Sequence, residues 1–208
     1  MKITKRLTCL LSGAVLLLNA HAQKIDIKPY YIGDRVTDLP LKPLFNYKDS
    51  VAKLSTFGHK LIILDFWGTS CSNCIAMFPL EDSLQKVFKN DLQFILITTN
   101  PYDKVKDFIK NWNNKNNTKF SLPIVTNGLA FRDLFWRHYL PHYVWLSPRG
   151  KLLAQTSDMS IDFNIIKTTI EKIKAEERRL KSHFFPEDYF HFPPMTGIQE
   201  YFFKQYQD

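Results

Sequence analysis

Cysteine is scarcer than any other residue type discussed below: three occur in 208 residues, at Cys9, Cys71 and Cys74. That is too few for the disulfide framework that holds small secreted folds together. A second cysteine pair is lacking, so sulfur cannot supply a closed four-ligand zinc site, and His138 and His142 are not spaced in a way that compels coordination. Neither a flavin nor a nicotinamide fingerprint is present. There is no internal repeat and no linker-like stretch, which argues for one domain. The longest apolar run, Leu7 to Leu18, has twelve residues, short of the roughly 20 that span a bilayer. Basic residues outnumber acidic ones, 28 to 20, but they are spread along the chain. The densest group, Lys172 to Lys181, is interrupted by Glu176 and Glu177 and lacks interleaved aromatics, so it reads as a solvated helix face and not as a nucleic-acid surface.

The start of the chain reads as a signal peptide over residues 1–22. Lys2, Lys5 and Arg6 precede the apolar run, and Ala20-His21-Ala22 offers small residues where a signal peptidase cuts, before Gln23. A lipid anchor on Cys9 is not expected, because Arg6 stands too close to it. The expected product is exported, to the periplasm or another extracytoplasmic space, and has 186 residues and a net charge of +5. It divides into a core domain over 23–181 and an extension over 182–208. A chain of that length can bury one full core. Only Cys71 and Cys74 remain in it. A bridge closing so short a loop adds little by chain entropy, so chemistry explains the pair better than stability does.

Along the chain, residues 23–60 read as an irregular entry with short strands and turns. Leu61 to Leu64, ending at Asp65-Phe66-Trp67, fits a central strand buried on both faces. A helix follows, with Ile75, Phe78, Leu84, Val87 and Phe88 inward and Pro79 within it. Leu92 to Thr98 is expected to be a strand, and Asp103 to Trp112 a helix with Val105, Phe108, Ile109 and Trp112 inward. Asn111 to Asn117 reads as a loop. Leu122 to Val125 reads as a short strand, placed at a sheet edge by its proline, and Gly128 to Phe135 as a short helix. His142–Leu146 and Lys151–Gln155 flank a Ser-Pro-Arg-Gly turn. Ile161 to Glu177 closes with an amphipathic helix carrying Phe163, Ile166, Ile170 and Ile173. The pattern is α/β: a mixed central sheet flanked by helices, with an aromatic-rich C-terminal segment added.

Cys71 and Cys74 fall where the buried strand gives way to the helix. Three residues apart in a first helical turn, they share a face at a separation a disulfide can close. A helix N-terminus concentrates partial positive charge and free N–H groups, which favour a thiolate at Cys71. The thiolate is the nucleophile of disulfide exchange. Cys74, deeper in the helix, would resolve the mixed disulfide. Half of a metal site, or two thiols packed as small apolar groups, are the alternatives.

The segment Asp65-Phe66-Trp67-Gly68-Thr69-Ser70-Cys71-Ser72-Asn73-Cys74, with Pro79 beyond it, resembles the active-site segment of the thioredoxin superfamily. Gly33-Asp34 upstream, about 25 extra residues before the later proline, and Leu140 to Lys151 resemble its exported TlpA/ResA-like branch. The likeness covers residues 32–175. It implies a thioredoxin-like fold, a cis bond at Pro141 beside the cysteines, and backbone at Leu140 that pairs with a client like an added strand. Otherwise Pro141 is an ordinary strand-entry proline. Asp65 matches the family's buried acid, whose burial would raise its pKa and let it accept the proton of Cys74; a strand-end Asp hydrogen-bonded to backbone is the plainer reading. Trp67 would shape the client surface or serve the core. The chain departs from the family in having Met77 where many exported relatives carry Glu, Ser72-Asn73 between the cysteines, Ser70 before them and His142 after the proline.

The expected function is reduction of protein disulfides by a Cys71/Cys74 cycle, with no cofactor. Electrons would come through the thiols of another protein. The chain is expected to act as a monomer, with no nucleic-acid partner and with membrane association left open. A thiol peroxidase is the second enzymatic reading, although Leu64 and Gly68 stand where such sites carry Pro and Thr or Ser. A metal-carrying or partner-docking protein without turnover is the third. The aromatic residues make 182–208 too apolar for a disordered tail and leave packing on the domain, a docking surface or a remnant of a fused domain.

Overall fold

Two largely apolar segments, Leu61–Phe66 and Leu92–Ile97, are buried at every position, as neighbouring parallel strands covered on both faces must be. The computed structural model describes residues 27–135, 139–183 and 185–206; the expected signal peptide lies outside the described residues. In chain order the elements are β1 (Pro40–Leu41), β2 (Leu44–Phe45), β3 (Ala52–Lys53), β4 (Leu61–Phe66), α1 (Ser72–Val87), β5 (Leu92–Ile97), α2 (Tyr102–Asn116), β6 (Ile124–Val125), α3 (Leu129–Leu134), β7 (His142–Leu146), β8 (Leu152–Thr156), α4 (Phe163–Lys181) and α5 (Gly197–Lys204). Six strands form one mixed sheet in the order β2-β6-β5-β4-β7-β8. The β4–β5 and β5–β6 pairs are parallel, whereas β7 runs antiparallel to β4 and β8, and β2 to β6. The α/β expectation with a mixed sheet holds.

Alternation along β4 sends Leu61, Ile63 and Asp65 to one face and Ile62, Leu64 and Phe66 to the other. The first face packs beneath α1, α2 and α4, through Phe78, Val105, Ile109, Ile166 and Ile170. The second is covered by α3 and by both ends of the described chain, including Val36, Leu39, Phe192, Phe202 and Phe203. The C-terminal segment is therefore part of the core. Its α5 is fixed by a reciprocal cap between Thr196 and Gln199, and Tyr206 donates to Asp133 at 2.7 Å. Gly150, in the turn between β7 and β8, has φ +78°, and a Cβ there would lie 2.7 Å from both the Val36 carbonyl and the Phe192 ring. Only glycine lets the entry segment and the C-terminal segment close over this turn.

Four local expectations are corrected. Asn111 to Asn116 continues α2, which ends in a left-handed Asn117 at φ 46°; asparagine tolerates that conformation, so the stop falls later than a polar run suggests. The β6 strand is not an edge. Pro123 precedes it, leaving Ile124 and Val125 free to pair with β5 on one side and β2 on the other. In α1 the inward stripe is Cys74, Phe78, Glu81 and Leu84, while Val87 is 58% exposed. Phe163, expected on the inner stripe of α4, is exposed and meets the Phe88 ring at a tilt.

If the C-terminal segment is core, truncating one of its aromatics should cost as much as truncating any buried ring. Phe202→Ala should lower unfolding stability by about 3 kcal/mol in urea titration. A loss below about 0.5 kcal/mol, the usual range for surface changes, would detach this segment from the domain.

Candidate active site

The β4 strand ends at Phe66, and the next residues form the site. Trp67 N–H donates to the Ile97 carbonyl at 3.0 Å, carrying the ladder one step further. Thr69 N–H donates to Asn100 Oδ1 at 2.9 Å, and Asn100 is itself braced by Thr98. Cys71 N–H reaches back to the Gly68 carbonyl at 2.9 Å. These bonds fix a short loop that delivers Cys71 to the N-cap of α1, where serine, threonine, aspartate or asparagine usually stands. The sulfur takes the capping role, accepting the Cys74 N–H at 3.2 Å. Charge that develops on Cys71 thus meets a backbone donor and the positive end of a 16-residue helix.

The two sulfurs form a disulfide, with their Cα atoms 5.3 Å apart. Cys71 is half-buried and Cys74 fully buried. That difference in access matches an attacking and a resolving role. Trp67 is buried; its ring meets Phe78 edge-on and Phe108 at a tilt, in the same apolar layer as Cys74.

The Leu140–Pro141 bond is cis, as the resemblance implies. A second cis bond, Lys42–Pro43, has no sequence signal. In the β4–β7 register Phe66 faces His142, so the next step brings Trp67 and Pro141 alongside each other. The Leu140 side chain closes on the cysteine loop: a methyl added at Gly68 would lie 3.9 Å from Leu140 Cδ1. Half-buried Leu140 packs against the same apolar cluster as Cys71, and Ser70, Ser72 and Asn73 beside it in sequence are exposed.

Asp65, on the sheet face that α1 covers, is fully buried, and neither of its carboxylate oxygens has a hydrogen-bond partner. The plainer reading of a strand-end Asp bonded to backbone therefore does not describe it. Desolvation, followed by the negative charge of Glu81, holds its pKa well above the usual carboxylate range. Glu81, two turns beyond Cys74, is also fully buried, and burial pushes it up to about 8 although a hydrogen bond from Tyr143 Oη, at 2.7 Å, opposes the rise.

A curated relative, the thiol–disulfide oxidoreductase ResA of Oceanobacillus iheyensis, is 27% identical over 146 residues, covering 69% of this chain and 73% of its own. No family model matches. Among solved structures, a Chlorobium tepidum protein described as a thiol:disulfide interchange protein DsbE aligns at TM-score 0.53 and 18% identity, covering 70% of this chain and 96% of that one. The exposed lipoprotein thioredoxin Etrx1 of Streptococcus pneumoniae aligns at TM-score 0.51 and 22% identity, covering 65% and 98%. The fold is thioredoxin-like, and the chain is similar to the ResA-type thiol–disulfide oxidoreductases. On this thioredoxin-like frame the structure brings Cys71, Cys74, Asp65, Trp67, Leu140 and Pro141 to one end of β4.

Sequence reading missed Asn100, Tyr143 and Glu81. Asn100 follows a strand end and gave no motif. Glu81 carried a signal, since it lies seven residues after Cys74 and three after Phe78, on the inward face of the helix.

Two buried acids with raised pKa values make folding favour the protonated forms. Their contribution is complete below about pH 4 and is lost as pH rises; for Glu81 the loss runs from 4.5 to about 8. Each unit of upward shift costs about 1.4 kcal/mol once the group must ionise. Glu81→Gln should therefore stabilise the oxidised protein at pH 8, by up to about 4 kcal/mol, and flatten its urea midpoint against pH. A midpoint curve parallel to that of the parent protein would contradict this ionisation.

Proposed function

We propose that this thiol–disulfide oxidoreductase is exported and acts as a reductase of protein disulfides, using Cys71 as nucleophile and Cys74 as resolving thiol. The observation that carries the proposal is the asymmetry of the pair. One sulfur is half-exposed and capped by a helix N–H, and the other is buried one turn behind it. In the reduced protein the Cys71 thiolate attacks a client disulfide, giving a mixed disulfide and one client thiolate. Cys74 then attacks Cys71, releases the second client sulfur and leaves the protein oxidised. A donor protein's thiols restore the dithiol. The backbone at Leu140, on the far side of Cys71 from the helix, offers its edge to an extended client segment, and Trp67 supports that surface from below.

Export is supported by the leader-like residues 1–22 and by the relatives' character, one solved neighbour being described as an exposed lipoprotein. Among the described residues no helix is long and apolar enough to cross a membrane. A buried acid on the sheet face that α1 covers would take up the proton of Cys74 as the mixed disulfide resolves.

Purified protein lacking residues 1–22 should catalyse reduction of a model protein disulfide by dithiothreitol, and Cys71→Ser should lower the rate to that of dithiothreitol alone. Cys74→Ser should trap a mixed disulfide visible by intact mass. Equal turnover in Cys71→Ser would overturn the reading.

A further inference from the structure

Tyr143 stands opposite Asp65 in the β4–β7 register, so both side chains rise from the same face of the sheet. The stripe of α1 that covers this face carries Cys74, Phe78 and Glu81, with Gln85 holding the edge of β5 through Leu92 and Phe94. Tyr143 Oη donates to Glu81 Oε1 at 2.7 Å. Glu81 Oε2 and both Asp65 oxygens are buried without a hydrogen-bond partner. Neither acid has an ion-pair partner among the described residues.

Two bare carboxylates in one apolar layer would each need several kcal/mol of compensation. The economical arrangement is one proton shared by the two acids, because the negative charge of Glu81 opposes ionisation of Asp65 and a protonated acid supplies a donor. We propose that Glu81 is a positioning residue for the second half of the redox cycle: with Asp65 it forms a buried two-carboxylate site holding one proton at neutral pH, and this pair takes up the proton that Cys74 loses. The inference rests on the proposed reductase cycle and adds a residue to it.

The steps balance. Attack by Cys71 breaks the client's sulfur–sulfur bond, forms the Cys71–client bond and releases one client thiolate. Cys74–SH then gives its proton to the pair as its sulfur bonds to Cys71. The Cys71–client bond breaks, the second client sulfur leaves, and two electrons have passed to the client. When a donor dithiol reopens the bridge, Cys74 departs as a thiolate and recovers the proton. The titratable groups facing the pair are Tyr143 from β7 and Cys74 from α1, and the charge of Asp158, after β8, reaches Tyr143. Loss of Glu81 removes a negative charge that raises the proton affinity of Asp65, so Asp65 becomes a weaker base. Loss of the Tyr143 hydroxyl does the reverse to Glu81, whose affinity that hydrogen bond lowers.

The test is single-turnover rapid quench of the reduced protein with a fluorescent peptide disulfide, in which attack and release are timed separately between about pH 5 and 9. In the parent protein, release should follow two carboxylate ionisations. In Glu81→Gln it should follow one, displaced to lower pH, with release near pH 7 slowed about tenfold and attack changed less than about threefold. That slowing is smaller than the roughly 10²–10⁴-fold of a direct acid–base group. In Tyr143→Phe the upper ionisation should move to higher pH. Infrared spectra of the parent protein should show a protonated carboxylic acid near pH 7 that ionises above pH 8. If attack fails in the parent protein, the proposed function falls. If attack is normal but both variants follow the parent profile, or the infrared band is missing, the role of Glu81 falls alone.

Discussion

The contact on which the site depends is the one between the Cys74 N–H and the Cys71 sulfur. It makes the sulfur the cap of α1, and so places a polarisable, ionisable atom where a helix presents unpaired donors and partial positive charge. The neighbouring structure exists to hold that placement. The β4 strand, buried along its whole length, fixes where the loop begins; Asn100 grips the loop through Thr69; and the Gly68 carbonyl receives the Cys71 N–H. Leu140 and Pro141, brought in by pairing of β7 with β4, stand against this loop.

Behind the sulfurs the core is polar where apolar residues would be more stable. Asp65, Glu81 and Tyr143 occupy a layer otherwise built from Trp67, Cys74, Phe78 and Trp145. Burial disfavours the charged form of both acids, and the single hydrogen bond from Tyr143 only partly offsets it. Stability is given up at neutral pH, where burial opposes ionisation of both acids. The opposite face of the sheet carries the compensating apolar burial, and the C-terminal aromatics Phe192, Phe202 and Phe203 complete it.

The sheet's centre and the cysteine junction were legible because each had one dominant physical cause. The apolar runs at Leu61–Leu64 and Leu92–Ile97 admit little besides buried strands, and two cysteines three apart at a strand-to-helix transition have few structural uses. The cis bond at Pro141 came through resemblance alone, since composition and periodicity carry no trace of it. What escaped reading depends on tertiary context. Pro123 looks like an edge signal until one sees that the strand starts after it. Asn111 to Asn116 looks like a loop because asparagine is a weak helix former, yet Val105 and Ile109 anchor the helix that these residues extend. Glu81 was passed over because a glutamate on a helix is ordinarily solvated; its burial becomes visible only when the inward face is traced from Cys74 and not from Ile75.

The ionisation of Cys71 tests the placement most directly. Alkylation of the reduced protein, followed against pH with peptide mapping, should modify Cys71 with a midpoint at least one unit below the ~8.5 of a free cysteine, while Cys74 stays unmodified until the protein unfolds. A Cys71 midpoint at or above that of free cysteine, or equal labelling of both thiols, would mean that the helix cap does not create the nucleophile.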